Sequence, residues 1–267
     1  MKTKFLITFF AMLILISCEK EIAIDLNKNN PKYVIEANLS TELGESKVKI
    51  TQTLNFDETI ANPTVSGAFV TITDNTQIKT DTLKEMTAGI YSNFDAVGKE
   101  GHNYTLKVKI GTETFTALST TPESISFDSL LQLNLASEGG PGRPGSDGSG
   151  SMIRILPVYK NTTHADKYFQ FVVVKNDTLL NGIVARSDLG SGGYSIPIPL
   201  FIRANKNDIL KFDIQFIDKT VFDYLFGLSQ NINQFSATPS NPTSNISNGA
   251  LGFFKAHSSQ KKTLIIK

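Results

Sequence analysis

Most of the chain alternates hydrophobic and polar residues with the two-residue period of β-strands. In Tyr33–Leu39 and Tyr104–Ile110, one face carries only apolar side chains and most residues of the other face are polar. Gly111 and Thr112 follow the second of these strands and predict the tip of a hairpin. Short alternating strands with regular turns are typical of antiparallel sandwiches. We therefore predict a mainly β protein with an N-terminal, Ig-like antiparallel β-sandwich over residues 32–122.

A second β-rich region is predicted over residues 123–267. Phe127–Leu135 and Leu210–Phe216 have strand patterns, and the nearly continuous apolar run Phe169–Val174 predicts a buried strand. Thr263–Ile266 predicts a final strand that builds the C-terminus into the fold. The join between the two regions contains apolar residues that we expect to be buried, which are Phe127, Leu130, Leu131 and Leu133.

One short helix is predicted within the second region. Thr220–Asp223 has the form of a capping box, and apolar residues follow it with helical spacing. We expect this helix to cover the sheet, with partner binding as the alternative. The apolar set comprises Val221, Tyr224, Leu225 and Leu228.

Residues 137–151 differ sharply in composition from the strands around them. They are rich in Gly, Pro and Ser and contain nothing apolar to bury, so they predict a flexible loop. A phosphate-binding loop does not fit, because no Lys-Ser/Thr pair follows the glycines and no helical pattern begins there.

The N-terminus has the three parts of a secretory signal peptide. Lys2 and Lys4 form a charged start, and the apolar run Phe5–Ile16 is short for a transmembrane span. The run leads into Leu15–Cys18, which resembles the bacterial lipobox. We therefore predict that residues 1–17 are a lipoprotein signal peptide, with an ordinary signal peptide and an incidental cysteine as the alternative.

Cys18 is the only cysteine of the chain and lies at the predicted cleavage site. The lipobox resemblance implies acylation of its thiol and of the new amino group, and several acyl chains anchor far more firmly than one. Residues 18–31 are polar and predict a tether. Glu19–Glu21 resembles a signal that exports some Bacteroidota lipoproteins, so we expect an outer-membrane protein that faces the cell surface; a plain solvated tether is the alternative.

Short motifs spread over nearly the whole mature chain occur in an order similar to that of a known family. They are Tyr33–Ala37, Val65–Ile72, Gly89–Tyr91, Gly101–Leu106, Thr121–Leu130, Asn241–Ile246 and Gly249–Phe254. Together with Cys18 they resemble a Bacteroidota lipoprotein family, domain of unknown function 4249. The resemblance implies a companion of a TonB-dependent outer-membrane transporter, and it supplies no catalytic residues.

The composition argues against several classes of protein. The net charge is +1 and no run of Lys or Arg occurs, so nucleic acid is not an expected partner. A single cysteine excludes an intramolecular disulfide. The chain has no Gly-x-Ser-x-Gly motif, and we expect no enzyme activity and no cofactor. A Ser–His pair or two carboxylates that only the fold brings together would leave no trace in the sequence.

No metal site is predicted from the histidines or the acidic residues. None of the histidines has a second His or Cys at ligand spacing, and His102 is expected to be a structural residue in a turn. Four aspartates recur five residues apart, but they do not follow the pattern of a calcium loop. These residues are His102, His164 and His257, and Asp208, Asp213, Asp218 and Asp223.

Two kinds of surface feature have sequence candidates. Aromatic residues near turns are expected to be exposed and would suit a glycan-binding face; they are Tyr91, Tyr159, Tyr194 and Phe253. The pattern Asp-Ser/Thr-Leu resembles the acceptor of Bacteroidota O-glycosylation and occurs at Thr82, Ser129 and Thr178, where a chance match is the alternative.

These observations favour a non-catalytic, lipid-anchored accessory of a TonB-dependent transporter in nutrient capture or uptake. Its partners would be the membrane, through the lipid on Cys18, and the transporter. The ligand, whether small molecule, peptide or glycan, stays open. A surface adhesin or glycan-binding protein that acts alone is the alternative.

Overall fold

The computed structural model describes residues 31–54, 63–134, 151–159, 166–188, 199–232 and 242–267. The predicted fold class is confirmed, because the described residues form two β-rich units, with one helix between the last two strands of the chain. Within these residues, no helix combines the length and the apolarity that crossing a membrane requires.

The first unit is a sandwich whose two layers enclose one hydrophobic core. Its strands are β1 (Tyr33–Ser40), β2 (Lys47–Gln52), β3 (Phe69–Asp74), β4 (Lys79–Thr87), β5 (Ile90–Ser92), β6 (Asn103–Ile110) and β7 (Glu113–Thr120). β1, β2 and β5 form one layer, and β3, β6 and β7 form the other. β4 pairs with β5 and with β3, so it joins the layers at one edge.

The second unit places a three-stranded sheet over one end of the large sheet. Its elements are β8 (Phe127–Asn134), β9 (Ser151–Tyr159), β10 (Tyr168–Lys175), β11 (Thr178–Leu179), β12 (Val184–Ser187), β13 (Leu200–Ala204), β14 (Ile209–Ile217), α1 (Lys219–Ile232) and β15 (Leu251–Ile265). The three-stranded sheet has the order β13-β9-β8, and a second core packs between it and β10, β14 and β15.

The last strand, β15, belongs to both units. Its first half pairs in parallel with β1, from Leu251 opposite Val34 to His257 opposite Ser40. Its second half, from Ser258 onward, pairs with β14 in antiparallel orientation. The first unit therefore contains one parallel pair in addition to its antiparallel ones, and a continuous sheet runs through both units.

The division of the chain into two regions at residue 122 stays a prediction. That prediction did not include a contribution of the C-terminal part of the chain to the first unit. Residues from the C-terminal part of the chain complete the core of the first unit, and they are Ile246, Ala250, Phe254 and Ala256. The strand predicted at Thr263–Ile266 is likewise only the end of a much longer strand. We infer that β15 holds the two units together as one folded body.

The helix α1 covers the sheet, as the sequence predicts. Its side chains Val221 and Leu225 are buried in a small third cluster with residues of β12 and β14. The predicted capping box is wrong: the helix begins at Lys219, and Asp218 caps it by accepting a hydrogen bond from the Val221 amide at 2.9 Å. The other carboxylate oxygen of Asp218 accepts a bond from the Ser119 hydroxyl at 2.5 Å, which ties the helix to β7.

Burial at the join between the units differs from the prediction in two positions. Phe127 is fully buried, and Leu130 packs partly against the second core. Leu131 and Leu133, however, are 50% and 40% exposed. The alternation of β8 explains this, because Leu133 pairs with Arg154 on the outer face of the three-stranded sheet.

Candidate binding cleft

A cleft of about 400 Å³ opens between the two sheets of the second unit. β10 and β12 form its floor and β13 forms its roof. Its volume is within the range of small-molecule binding sites. The apolar lining comprises Phe171, Val173, Leu180, Val184, Leu200, Phe201 and Ile202.

Arg186 brings a positive charge to the core-facing side of the edge strand β12. The register of β12 places Arg186 opposite Phe169 and Val184 opposite Phe171. Residues that are directly opposite in a sheet project to the same face, and both phenylalanines belong to the second core. The Arg186 side chain therefore lies on the inner side of the sheet, where it lines the cleft.

The surroundings of Arg186 leave its charge without an acidic partner in the described part of the chain. Burial lowers the pKa of its guanidinium. One nitrogen, Nη1, donates to the carbonyl oxygen of Ala185 at 2.8 Å. None of the salt bridges between described residues involves Arg186. Because a half-buried guanidinium carries five donors, Arg186 has hydrogen-bonding capacity for an anion.

Lys175 lies at the other end of the floor. Its Nζ donates to the carbonyl oxygen of Arg203 at 3.2 Å, so it spans the cleft from β10 to β13. Phe169, which pairs with Arg186, lies six residues before Lys175, so the backbone positions of the two cationic residues are about 20 Å apart along the strand direction. The charged residues of the described lining, which are Lys175, Arg186 and Arg203, are all cationic.

The polar side chains of the described lining are those of Lys175, Asn181, Arg186 and Arg203. The described lining contains no Ser, Thr, Cys, His, Asp or Glu, so it has no side-chain nucleophile paired with a base. Apolar walls with cations and without carboxylates suit a solute that has an apolar part and an anionic group.

A separate polar network surrounds the buried ammonium of Lys255, on the face of β15 opposite to Phe254. The Lys255 Nζ donates to the side-chain oxygens of Gln170 and Gln215, each at 2.6 Å. Gln215 in turn donates to Asp213 at 2.6 Å, and the Ser259 hydroxyl donates to the other oxygen of this carboxylate. The network links β10, β14 and β15, and we interpret it as a structural element.

Burial lowers the pKa of Lys255 to about 7, although the nearby Asp213 carboxylate acts in the opposite direction. In the unfolded chain the pKa is near its ordinary value of about 10.5. Between these values the unfolded state binds a proton that the folded state does not bind. The contribution of Lys255 to the free energy of unfolding therefore rises with pH between about 7 and 10.5 and is constant below this window.

Replacing Lys255 with methionine should remove this pH dependence. Relative to the variant, the parent should gain stability above pH 7 with a slope approaching about 1.4 kcal/mol per pH unit. The variant also leaves the side-chain oxygens of Gln170 and Gln215 without their donor, so the change of the stability difference with pH, and not its size at one pH, tests the explanation. Urea unfolding at pH 6.5, 8.0 and 9.5 measures this difference. Lys262→Met on the same strand is the control, and parallel curves for the parent and Lys255→Met would refute the explanation.

The described histidines do not converge on a common site. His102 lies in a turn before β6, and its Nδ1 is 2.8 Å from a carboxylate oxygen of Asp74, as suits a structural turn residue. His257 is buried on β15, and burial lowers its pKa well below the ordinary value. Its Nδ1 has no hydrogen-bond partner in the described structure. His164 lies outside the described residues.

The four aspartates that recur in the sequence have separate environments. Asp208 accepts a bond from the turn at Asn205, and Asp213 belongs to the Lys255 network. Asp218 caps α1, and Asp223 pairs with a lysine one turn earlier on the same helix. Among the described residues, no group of three potential metal ligands comes together.

The predicted exposure of Tyr91 and Tyr159 is wrong. Tyr91 is buried, and its hydroxyl donates to the carbonyl oxygen of Val65 at 2.9 Å. Tyr159 is buried among the rings of the second core. Both tyrosines follow the inward phase of their strands, so their rings fill cores and do not offer platforms for sugars. Phe253 is partly buried beneath α1, and Tyr194 lies outside the described residues.

The predicted modification sites divide into two groups. Cys18, the signal peptide at 1–17 and all but the last residue of the tether lie outside the described residues, as does nearly all of the predicted loop at 137–151. The hydroxyl-bearing residues Thr82, Ser129 and Thr178 lie at exposed positions of β4, β8 and β11. Their accessibility is compatible with glycosylation, which stays a prediction.

Sequence reasoning missed Arg186. The available signal was weak: Val184 and Arg186 have the two-residue spacing of one strand face, so an arginine is in phase with an apolar residue. In a strand of four residues, this spacing does not reveal which face points inward. Only the pairing of β12 with β10 places Arg186 on the inner side.

Comparisons with known proteins give the following matches. A family model described as "Domain of unknown function (DUF4249)" matches residues 19–263. No curated protein shows significant similarity to the chain. Among solved structures, a two-domain fibronectin type III segment of chicken tenascin matches 89% of this chain and 99% of that chain, with 11% identity and a TM-score of 0.26. At this TM-score the likeness adds nothing to the fold described above.

Proposed function

The chain belongs to the DUF4249 family, and we propose that it is a non-catalytic, lipid-anchored binding protein of the outer membrane that assists a TonB-dependent transporter in nutrient capture. Lipid on Cys18 would hold the β body at the membrane, facing the cell surface. The cleft of the second unit would hold the solute before its transfer to the transporter.

The observation that carries the binding role is the cleft at Arg186. It combines a cavity of about 400 Å³ with an apolar lining, cations and no acidic residue in its described part. The described lining contains no nucleophile–base pair, which supports capture without chemical change. The lipobox resemblance at Leu15–Cys18 supports the anchor.

Replacing Cys18 with alanine should release the protein from membranes. The parent should fractionate with the outer membrane, and most of the Cys18→Ala protein should appear in the soluble fraction, because no acyl chains can attach to alanine. Cell fractionation with immunoblotting measures the distribution. Lys20→Ala, two residues away, is the control and should stay with the membrane. A Cys18→Ala protein that is processed and retained like the parent would contradict the anchor.

The partnership with a transporter has its own test. The lipidated protein would be cross-linked in intact cells, purified from solubilised outer membranes and examined by mass spectrometry. Recovery of a TonB-dependent receptor with the parent, and its loss from the Cys18→Ala sample, supports the proposal. A protein that is recovered alone, or that binds polysaccharide without any receptor, contradicts it and favours the independent adhesin.

A further inference from the structure

We propose that the cleft binds a free carboxylate with an apolar tail, whose carboxylate lies at Arg186 and whose tail lies between β10 and β13. The inference rests on the proposed function, because it names the class of solute that the same cleft would capture. The carboxylate and the tail of this ligand would each contact a separate part of the cleft lining.

The burial and the hydrogen bonding of Arg186 indicate a carboxylate as the head group of the ligand. Its guanidinium is half-buried, and the one hydrogen bond that the described structure gives it goes to a backbone carbonyl. A cation that has lost much of its water and has no counterion among the described residues gains most from an anion that enters the same space. The planar fork of arginine matches the two oxygens of a carboxylate, which accept parallel hydrogen bonds.

The cleft lining between Arg186 and Lys175 indicates an apolar tail. Phe171 and Val173 lie on β10 between the positions of Arg186 and Lys175, and Leu200 and Ile202 face them from β13. All four side chains belong to the second core, so the cleft continues the apolar space between the sheets. A hydrocarbon chain can lie between two apolar sheet faces without leaving a polar group unpaired.

The same lining disfavours a sugar. Asn181 is the one uncharged polar side chain in the described lining. Several hydroxyl groups of a buried sugar would therefore lack hydrogen-bond partners. Lys175 is a weaker candidate than Arg186 for the head group, because its compact ammonium lacks the planar fork that matches both oxygens of a carboxylate.

The test compares three ligands that share a tail and differ in head group. Octanoate, octanol and octylammonium are titrated by calorimetry into the mature chain, residues 18–267 with Cys18→Ala, which carries neither lipid nor the apolar signal peptide. Octanoate should bind at least tenfold more tightly than octanol, and octylammonium should not bind, because Arg186 supplies a charged hydrogen bond to the carboxylate alone.

Variants separate the head-group contact from a general loss of structure. Arg186→Met should lower the affinity for octanoate at least tenfold and leave the affinity for octanol unchanged. Unchanged octanol binding would show that the cleft is still formed. Lys206→Met removes an exposed cation in the turn before β14 and is the matched control, with no expected change. Equal affinities for octanoate and octanol, or an Arg186→Met protein that binds octanoate like the parent, would overturn the proposal.

An anionic group on an apolar chain also occurs in membrane lipids. Sedimentation with phosphatidylglycerol vesicles distinguishes the two sources. If the parent bound the vesicles but not octanoate, and Arg186→Met abolished the vesicle binding, the proposal of a free carboxylate would be overturned. Failure of octanoate binding with receptor co-purification intact rejects the solute class alone. Octanoate binding without a receptor rejects the transporter role and leaves the solute class supported.

Discussion

Gly252→Ala is expected to lower the free energy of unfolding by more than about 4 kcal/mol, and to unfold much of the protein at room temperature if the parent has ordinary stability. Gly252 has a φ of +98° at the start of the parallel pairing between β15 and β1. An added Cβ would lie 2.1 Å from the carbonyl oxygen of Ile35 and 2.7 Å from its carbonyl carbon. Because both atoms are backbone, the strands would have to separate to admit the methyl group.

Urea unfolding followed by circular dichroism measures the loss. Gly249→Ala is a closely matched control: Gly249 has a φ of +70°, but an added Cβ there would meet nothing within 4 Å. It should therefore show only the backbone cost of a left-handed alanine, about 1–2 kcal/mol. If both variants lost the same small amount, the close approach of β15 to β1 would be incorrect.

Phe127→Ala is expected to cost about 3–5 kcal/mol, the range for removing a buried aromatic side chain. Phe127 is fully buried, and its ring packs against the rings of Tyr159, Phe169, Phe171 and Phe216 at centroid distances between 4.6 and 6.2 Å. Its removal leaves a cavity at the centre of the second core that these large rings cannot fill without leaving their own positions.

Leu131→Ala on the same strand is the control for Phe127→Ala. Leu131 is 50% exposed, so its truncation should lower the free energy of unfolding by only about 1 kcal/mol, roughly half of the effect of burying a leucine side chain. Thermal unfolding monitored by near-ultraviolet circular dichroism compares the two variants. A loss at Leu131 as large as that at Phe127 would restore the original prediction that both residues are buried.

Local patterns in the sequence predicted the strands that have one apolar face. Tyr33–Leu39 and Tyr104–Ile110 reappear almost unchanged as β1 and β6, because burial of one face produces a strong two-residue period. β4 (Lys79–Thr87) was missed, since only Leu83 of its nine residues is buried and the remainder has no apolar alternation. Its place in the sandwich depends on hydrogen bonds to β3 and β5 and not on its own composition.

The features that matter most for function come from contacts between distant parts of the chain. β15 pairs with β1 across more than 200 residues, and no local pattern specifies a parallel partner. Arg186 becomes a cleft residue only through the pairing of β12 with β10 and through the sheet that lies above them. Sequence periodicity gives the face on which a residue lies but does not give what that face will meet.

The shared strand also connects the cleft to the rest of the molecule. β10, which forms the cleft floor, pairs with β14, and β14 pairs with β15, which continues into the first unit. The Lys255 network joins the same strands on the opposite face of the sheet. We therefore expect the two units to unfold together, although each has a core of its own.

Native-state hydrogen exchange along β15 tests this unity most directly. In the parent protein under increasing urea, amides of residues 253–257, which lie beside β1, and of residues 258–264, which lie beside β14, should converge on a single free energy of opening. Two separate opening energies, one for each half of the strand, would show that the units unfold independently and that β15 does not make them one body.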